Sequence, residues 1–165
     1  MMSMKKTLAV VACTIAGLFA VHAVDDVQVN YWFNVPRANA ETPAEFRFGL
    51  PISGSNSEVS AMEMSLIGSA SSKIDGFQWC LVGPCWTKTL NGAQLSLVNM
   101  AEKNAEDGVQ VSLFNVSNRG GIQIGLANNC SDNAEFQLGL FNYNRNGWLP
   151  FMVFFNMAGD DNVAE

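Results

Sequence analysis

The sequence predicts an all-β repeat protein, a β-solenoid of about eight short coils, from three observations. A phrase of eight residues recurs: "GAQLSLVN" at 92–99, "GVQVSLFN" at 108–115, "GIQIGLAN" at 121–128 and "EFQLGLFN" at 135–142. Inside it apolar and polar residues alternate with a period of two, the mark of a strand with two unlike faces. Between the phrases lie stretches rich in turn formers, such as "SGSNS", "VSNRGG" and "NYNRNG".

Aligned on its leucine, the repeat extends in both directions. Leu50, Leu66, Leu81, Leu97, Leu113, Leu126 and Leu140 fill one column, completed by Phe154. The columns two and four residues earlier are apolar as well, for example Leu95 and Ala93 before Leu97. Amphipathic alternation assigns such columns to the buried face of each strand, so Ala93, Leu95 and Leu97 are expected inside. The intervening columns are Arg47, Glu63 and then Gln78, Gln94, Gln110, Gln123 and Gln137, and a small-residue column of Gly, Ser and Cys80. A last column holds Asn99, Asn115, Asn128, Asn142 and Asn156. Identical amides stacked at strand spacing form hydrogen-bonded ladders, which suits a parallel stack. The alternatives are an antiparallel meander or a small up-and-down barrel, whose connections would alternate in character. The observed spacings, 13 to 16 residues, do not alternate.

The chain divides into four parts. Residues 1–23 read as a signal peptide: a basic head, "MMSMKK", an uncharged apolar run, and "VHA" with small residues at the cleavage positions. Residues 24–45 hold a strand-like run, "VQVNYWF", and a Pro-bearing linker, read as a cap or edge segment. Residues 46–157 are the repeat domain, and 158–165 an acidic tail. Its apolar end, "WLPFMVFFNM", is a closing strand, a cap against edge pairing, or an interaction patch.

The central repeats resemble the G-L-Q-x-G-L-x-N units of a family of bacterial surface-repeat proteins. The early "FRFGLPISGSNSEVSAMEMSLIG" is similar to the opening of such proteins, and "NYNRNGWLPFMVFFN" to their last unit. The resemblance covers about residues 27–157. It implies an exported bacterial protein, placed outside the cell, in the periplasm or at the cell surface. It transfers no catalytic residue.

Charge and residue inventory narrow the chemistry. The chain carries a net charge of −6, and His22, its sole histidine, lies in the leader. Cleavage also removes Lys5 and Lys6, leaving seven basic against fifteen acidic side chains. Nucleic acid is therefore not expected as a partner, since binding phosphates needs clustered Lys and Arg. Without histidine neither a Ser–His–Asp nor a Cys–His pair forms, and no cofactor or metal is expected. The acidic residues Glu102, Glu106, Asp107, Asp132 and Glu135 lie in turns, where solvation explains them; a carboxylate-pair enzyme is the remote alternative. No enzyme activity is expected, only a structural or recognition role, with a protein or a surface glycan as partner. A membrane enters only through the alternative of an outer-membrane barrel. Cys80 and Cys85 leave a local disulfide open, and Cys80 equally suits a small filler position. Trp32, Trp86, Trp148, Phe151 and Phe155 are the candidate interaction residues, whereas Trp79 falls in a column assigned to packing.

Overall fold

The computed structural model describes residues 27–104 and 108–159; the stretch expected as a signal peptide, residues 1–23, and most of the tail, residues 160–165, lie outside the described residues. Twelve strands form one continuous ladder system: β1 (Val27–Asn30), β2 (Ala44–Gly49), β3 (Ile52–Ser65), β4 (Gly68–Ile74), β5 (Phe77–Cys80) and β6 (Pro84–Leu90), then β7 (Ala93–Leu95), β8 (Val98–Asn104), β9 (Val109–Ser117), β10 (Ile122–Cys130), β11 (Phe136–Asn144) and β12 (Phe151–Met157). A single 3-10 turn, Arg37–Asn39, interrupts the linker after β1.

Neighbouring repeats pair in parallel and in register. Val27, Phe46, Met62, Phe77, Ala93, Val109, Ile122 and Phe136 follow one another as partners along eight rungs. This is a β-solenoid, and its parallel sense replaces the meander and barrel alternatives. Each full coil consists of two strand segments joined at a corner. In β9 the inward residues are Gln110, then Asn115 and Ser117, while Leu113 and Phe114 both point outward and are exposed. Two successive outward residues switch the alternation, and that switch turns the corner. The pairs Leu66–Ile67, Leu81–Val82, Leu97–Val98, Leu126–Ala127 and Leu140–Phe141 occupy the same corner in other coils.

The last repeat departs from the pattern. Strand β12 runs antiparallel to β11, pairing Phe136 with Met157 and Tyr143 with Phe151. Asn156 consequently lies opposite Gln137, not in the asparagine column. Reversal of this strand leaves no further parallel edge for another coil to continue. Phe154 holds a left-handed backbone at φ 74°, where β12 crosses the corner opposite Gly139.

The polarity of the strands is the reverse of the expected one. Gln78, Gln94, Gln110, Gln123 and Gln137 are fully buried, as are Arg47 and Glu63 at the same column. Leu95 is 38% exposed and Leu97 44%; Ala93 is only half-buried. Gln and Leu are of similar size, so shape does not choose between them. Hydrogen bonding does. Gln94 Nε2 donates to Gln78 Oε1 at 2.6 Å, Gln110 to Gln94 at 2.8 Å, Gln123 to Gln110 at 3.0 Å and Gln137 to Gln123 at 2.7 Å. The same nitrogens donate across the coil to the facing strand, to the carbonyls of Met100, Val116, Asn129 and Tyr143. Asparagine does the same at the corner: Asn99 donates to Asn115 Oδ1 at 3.1 Å, Asn115 to Asn128 at 2.8 Å and Asn128 to Asn142 at 2.7 Å. A buried amide with both hydrogens placed loses little on leaving water, so the polar columns go inside.

The chain of amide donors runs one way and ends on a carboxylate. Gln78 donates to Glu63 Oε2 at 2.8 Å, and Glu63 also accepts from Ser53 and Ser71. Arg47, which only donates, lies 3.7 Å from Glu63 and binds Gln28 Oε1 and the Ser57 hydroxyl. Burial pulls the Arg47 guanidinium below its ordinary pKa, and the Glu63 charge opposes that fall. At the other end, Gln137 Oε1 is buried with no partner, because Asn156 donates to Leu149 O instead. The aliphatic core is a small plug of Val59, Ile74, Leu90 and Ala101 beside the turns, with Ala44, Ala134 and the cysteines buried elsewhere.

Candidate functional site

The most distinctive surface is made by the apolar columns themselves. On one face lie Phe48, Met64, Trp79, Leu95, Val111, Ile124 and Leu138, one per coil at strand spacing. The corner adds a ridge of leucines between 39% and 53% exposed. Beyond the corner the opposite face presents Trp86, Met100, Phe114, Val116, Phe141 and Tyr143, with the exposed Asn129 as the polar member of the column between Val116 and Tyr143. The apolar surface thus wraps two faces and the edge between them. A shallow hollow of about 250 Å³ lies on it, lined by Phe48, Leu50, Met64, Leu66, Trp79 and Leu81.

The charges sit on the opposite edge, in the turns between coils. Lys73 pairs there with Asp75, whose carboxyl it holds below the usual range, and Asn91 donates to the same carboxylate at 3.0 Å. One turn edge further along, Asp132 takes Arg119 at 3.9 Å and Asn146 at 2.7 Å. Glu102 and Glu135 are exposed. Glu106 and Asp107 lie outside the described residues. Solvated ion pairs of this kind contribute little to stability.

Cys80 and Cys85 face the interior across the third corner and form a disulfide, with Cα atoms 5.9 Å apart. Their columns explain the pairing. Cys80 occupies the small-residue position and Cys85 the asparagine position, where it registers with Asn99. In later coils the same two positions hold Ser96 and Asn99, or Ser112 and Asn115, whose hydroxyl-to-amide hydrogen bonds are each 2.8 Å long. The disulfide is therefore a covalent form of a corner clamp that elsewhere is a hydrogen bond. It closes a very short loop, so reduction is expected to cost about 2 kcal/mol by the loop-entropy relation. The check is the denaturation midpoint with and without reductant. Cys80→Ser combined with Cys85→Asn should lose less than reduction does, because it restores the hydrogen-bonded clamp. Cys130 is buried and free, and burial raises its thiol pKa, which makes it a poor nucleophile.

The other residues singled out from sequence do not form one cluster. Trp32 is 58% exposed beside Val35 in the N-terminal linker. Trp86 is half-buried on the second face, and Trp148 is exposed in the turn before β12. Because β12 crosses the corner at Phe154, Phe155 lies opposite Leu138 on the first face and Phe151 opposite Tyr143 on the second. Phe151 stacks on Phe141 with ring centroids 6.5 Å apart. The leucine ridge and its flanking columns were missed as surface because they were assigned to the core. The signal that finds them is the identity of the Gln and Asn columns, since only a hydrogen-bonding interior rewards invariance of that kind. Among the described residues no group of three or more His, Cys, Asp or Glu side chains is placed to hold a metal ion. Comparison with protein-family models, with curated proteins and with solved structures found no match.

Proposed function

We propose that this chain is an exported, non-catalytic scaffold of a bacterial envelope, acting through its outer apolar surface. The observation that carries the reading is the inversion of polarity: hydrogen-bonding groups are spent inside, and the apolar columns are left for contact outside. An apolar patch of such extent on a soluble monomer is uncommon and marks an interaction site. The Cys80–Cys85 disulfide favours an oxidising compartment, and the leader-like start of the chain supports export. Arg47 and Glu63, buried within the coils, are paired with one another and with the polar columns, which supports a structural role for them.

Expression of the full chain in a bacterial host tests this. A shortened mature form, recovered outside the cytoplasm with Cys80 and Cys85 oxidised, is the expected result. Retention of the intact chain in the cytoplasm with reduced thiols would overturn it.

A further inference from the structure

The geometry points to lipid hydrocarbon as the occupant of the apolar surface: the leucine ridge and the two faces beside it sink into one leaflet of a bilayer, with the charged turns in water. This rests on the envelope-scaffold reading and names the partner of its surface.

Three features distinguish lipid from a protein partner. The first is shape. The apolar surface is three-sided, running from Leu95 over Leu97 and Val98 to Met100 within one coil. Seven spacings of about 4.8 Å between the eight rungs give a length of about 34 Å, and four residues of strand about 13 Å of depth per face. Two faces and the edge then approach about 1,000 Å², more than the roughly 800 Å² that each partner gives to a standard interface. A second copy laid on one face leaves the ridge and the other face in water. A fluid phase covers all three.

The second feature is the segregation of charge. From Val109 to Ser117, from Ile122 to Cys130 and from Phe136 to Asn144 the coil contains no charged residue. In the early coils the only charges in the matching stretches are Arg47 and Glu63, both buried and paired. Charges of both signs lie along the turn edge, among them Lys73, Asp75, Lys88, Glu102, Lys103, Arg119, Asp132 and Glu135. A mixed edge complements zwitterionic headgroups. The ridge and the charged edge both run the length of the stack, so the stack axis must lie in the membrane plane to place one in hydrocarbon and the other in water.

The third feature is the backbone. Hydrocarbon offers no partner for an exposed N–H or C=O, so each must be satisfied within the protein. Several corner residues meet that demand coil to coil: Leu66 N donates to Gly49 O, Ile67 N to Pro51 O, Leu81 N to Ser65 O, Val82 N to Leu66 O and Phe114 N to Leu97 O.

The sequence admitted a membrane only for a barrel; the inverted solenoid provides a different route, insertion without spanning. Purified full-length protein mixed with phosphatidylcholine vesicles should float with them on a density gradient. In the Trp32→Phe, Trp148→Phe background the remaining Trp79 and Trp86 flank the ridge. Their fluorescence should shift to the blue and be quenched by phosphatidylcholine brominated on its acyl chains. Leu113→Glu with Leu126→Glu, two exposed positions, should lower vesicle partition about tenfold or more. Glu102→Gln with Lys103→Gln should leave it unchanged. Protein that stays in the aqueous fraction, whether as a monomer or as a dimer that the double glutamate variant dissociates, would overturn the proposal; so would flotation without acyl-chain quenching. Export without flotation refutes lipid insertion alone, whereas flotation of a chain retained in the cytoplasm refutes the envelope reading alone.

Discussion

Gln110→Leu is expected to destabilise the protein by about 3–6 kcal/mol, as two or three buried polar groups lose partners at about 1–3 kcal/mol each. Gln110 donates upward to Gln94 and across to Val116 O, and accepts from Gln123. A leucine fills almost the same volume, so no cavity complicates the result. The orphaned groups are the Gln94 carbonyl oxygen, the Val116 carbonyl and one hydrogen of Gln123. The reciprocal change, Leu113→Gln, puts an amide on a half-exposed ridge where water satisfies it, and is expected to alter stability by about 0.5 kcal/mol or less. Denaturation midpoints followed by circular dichroism measure both. Equal effects, or a larger loss for Leu113→Gln, would mean that the leucine columns and not the glutamines form the interior. The contrast is sharp because a protein of ordinary polarity would give the opposite order.

Glu63→Gln is expected to cost about 3–5 kcal/mol, the usual penalty for leaving a buried charge without its partner. The carboxylate is the acceptor at which the amide chain from Gln137 to Gln78 ends, and it neutralises Arg47 in a site with no exposure. An amide in its place presents a donor to Gln78 Nε2 or to Arg47, whichever way it turns. Arg47→Gln with Glu63→Gln removes both charges and lets the glutamine ladder run on towards Gln28. It should recover most of the loss, within about 1–2 kcal/mol of the parent. If the single variant is as stable as the parent, the pair does not terminate the ladder. If the double variant is worse than the single, the charges do more than complete it.

Much of this architecture was legible before any coordinates. The recurring phrase, its period-two alternation and its near-constant spacing specify strands and coils and favour stacking, because aligning identical residues is what a repeat of that kind does; the parallel sense itself came from the structure. The strand at Val27 was recognisable as an edge segment, and it stacks as the first rung. The spacing drift from 16 to 13 is absorbed in turns and corners, as at the longer corner between Cys80 and Cys85, and leaves the rungs in register. The final strand was less legible. Its apolar residues continue the columns, but Phe154 bends the strand over the corner in the reverse sense, and a column alignment carries no direction. The candidate site was misplaced for a related reason. Trp32, Trp148, Phe151 and Phe155 stood out as irregular aromatics, while Leu113 and Leu126 were regular and were therefore credited to the core.

Alternation in a strand determines that two faces differ; it does not determine which one turns inward. That assignment depends on what each side chain meets after the coil has closed. In this narrow coil each inward glutamine meets an identical glutamine one rung away and a carbonyl across the coil, so burial leaves its amide hydrogens satisfied. The leucines meet nothing inside and are left facing out. The sequence by itself determined the repeat, its period and the alignment of its columns. Only the closed tertiary structure decided the polarity, because hydrogen bonds between successive coils do not exist until the coils are stacked.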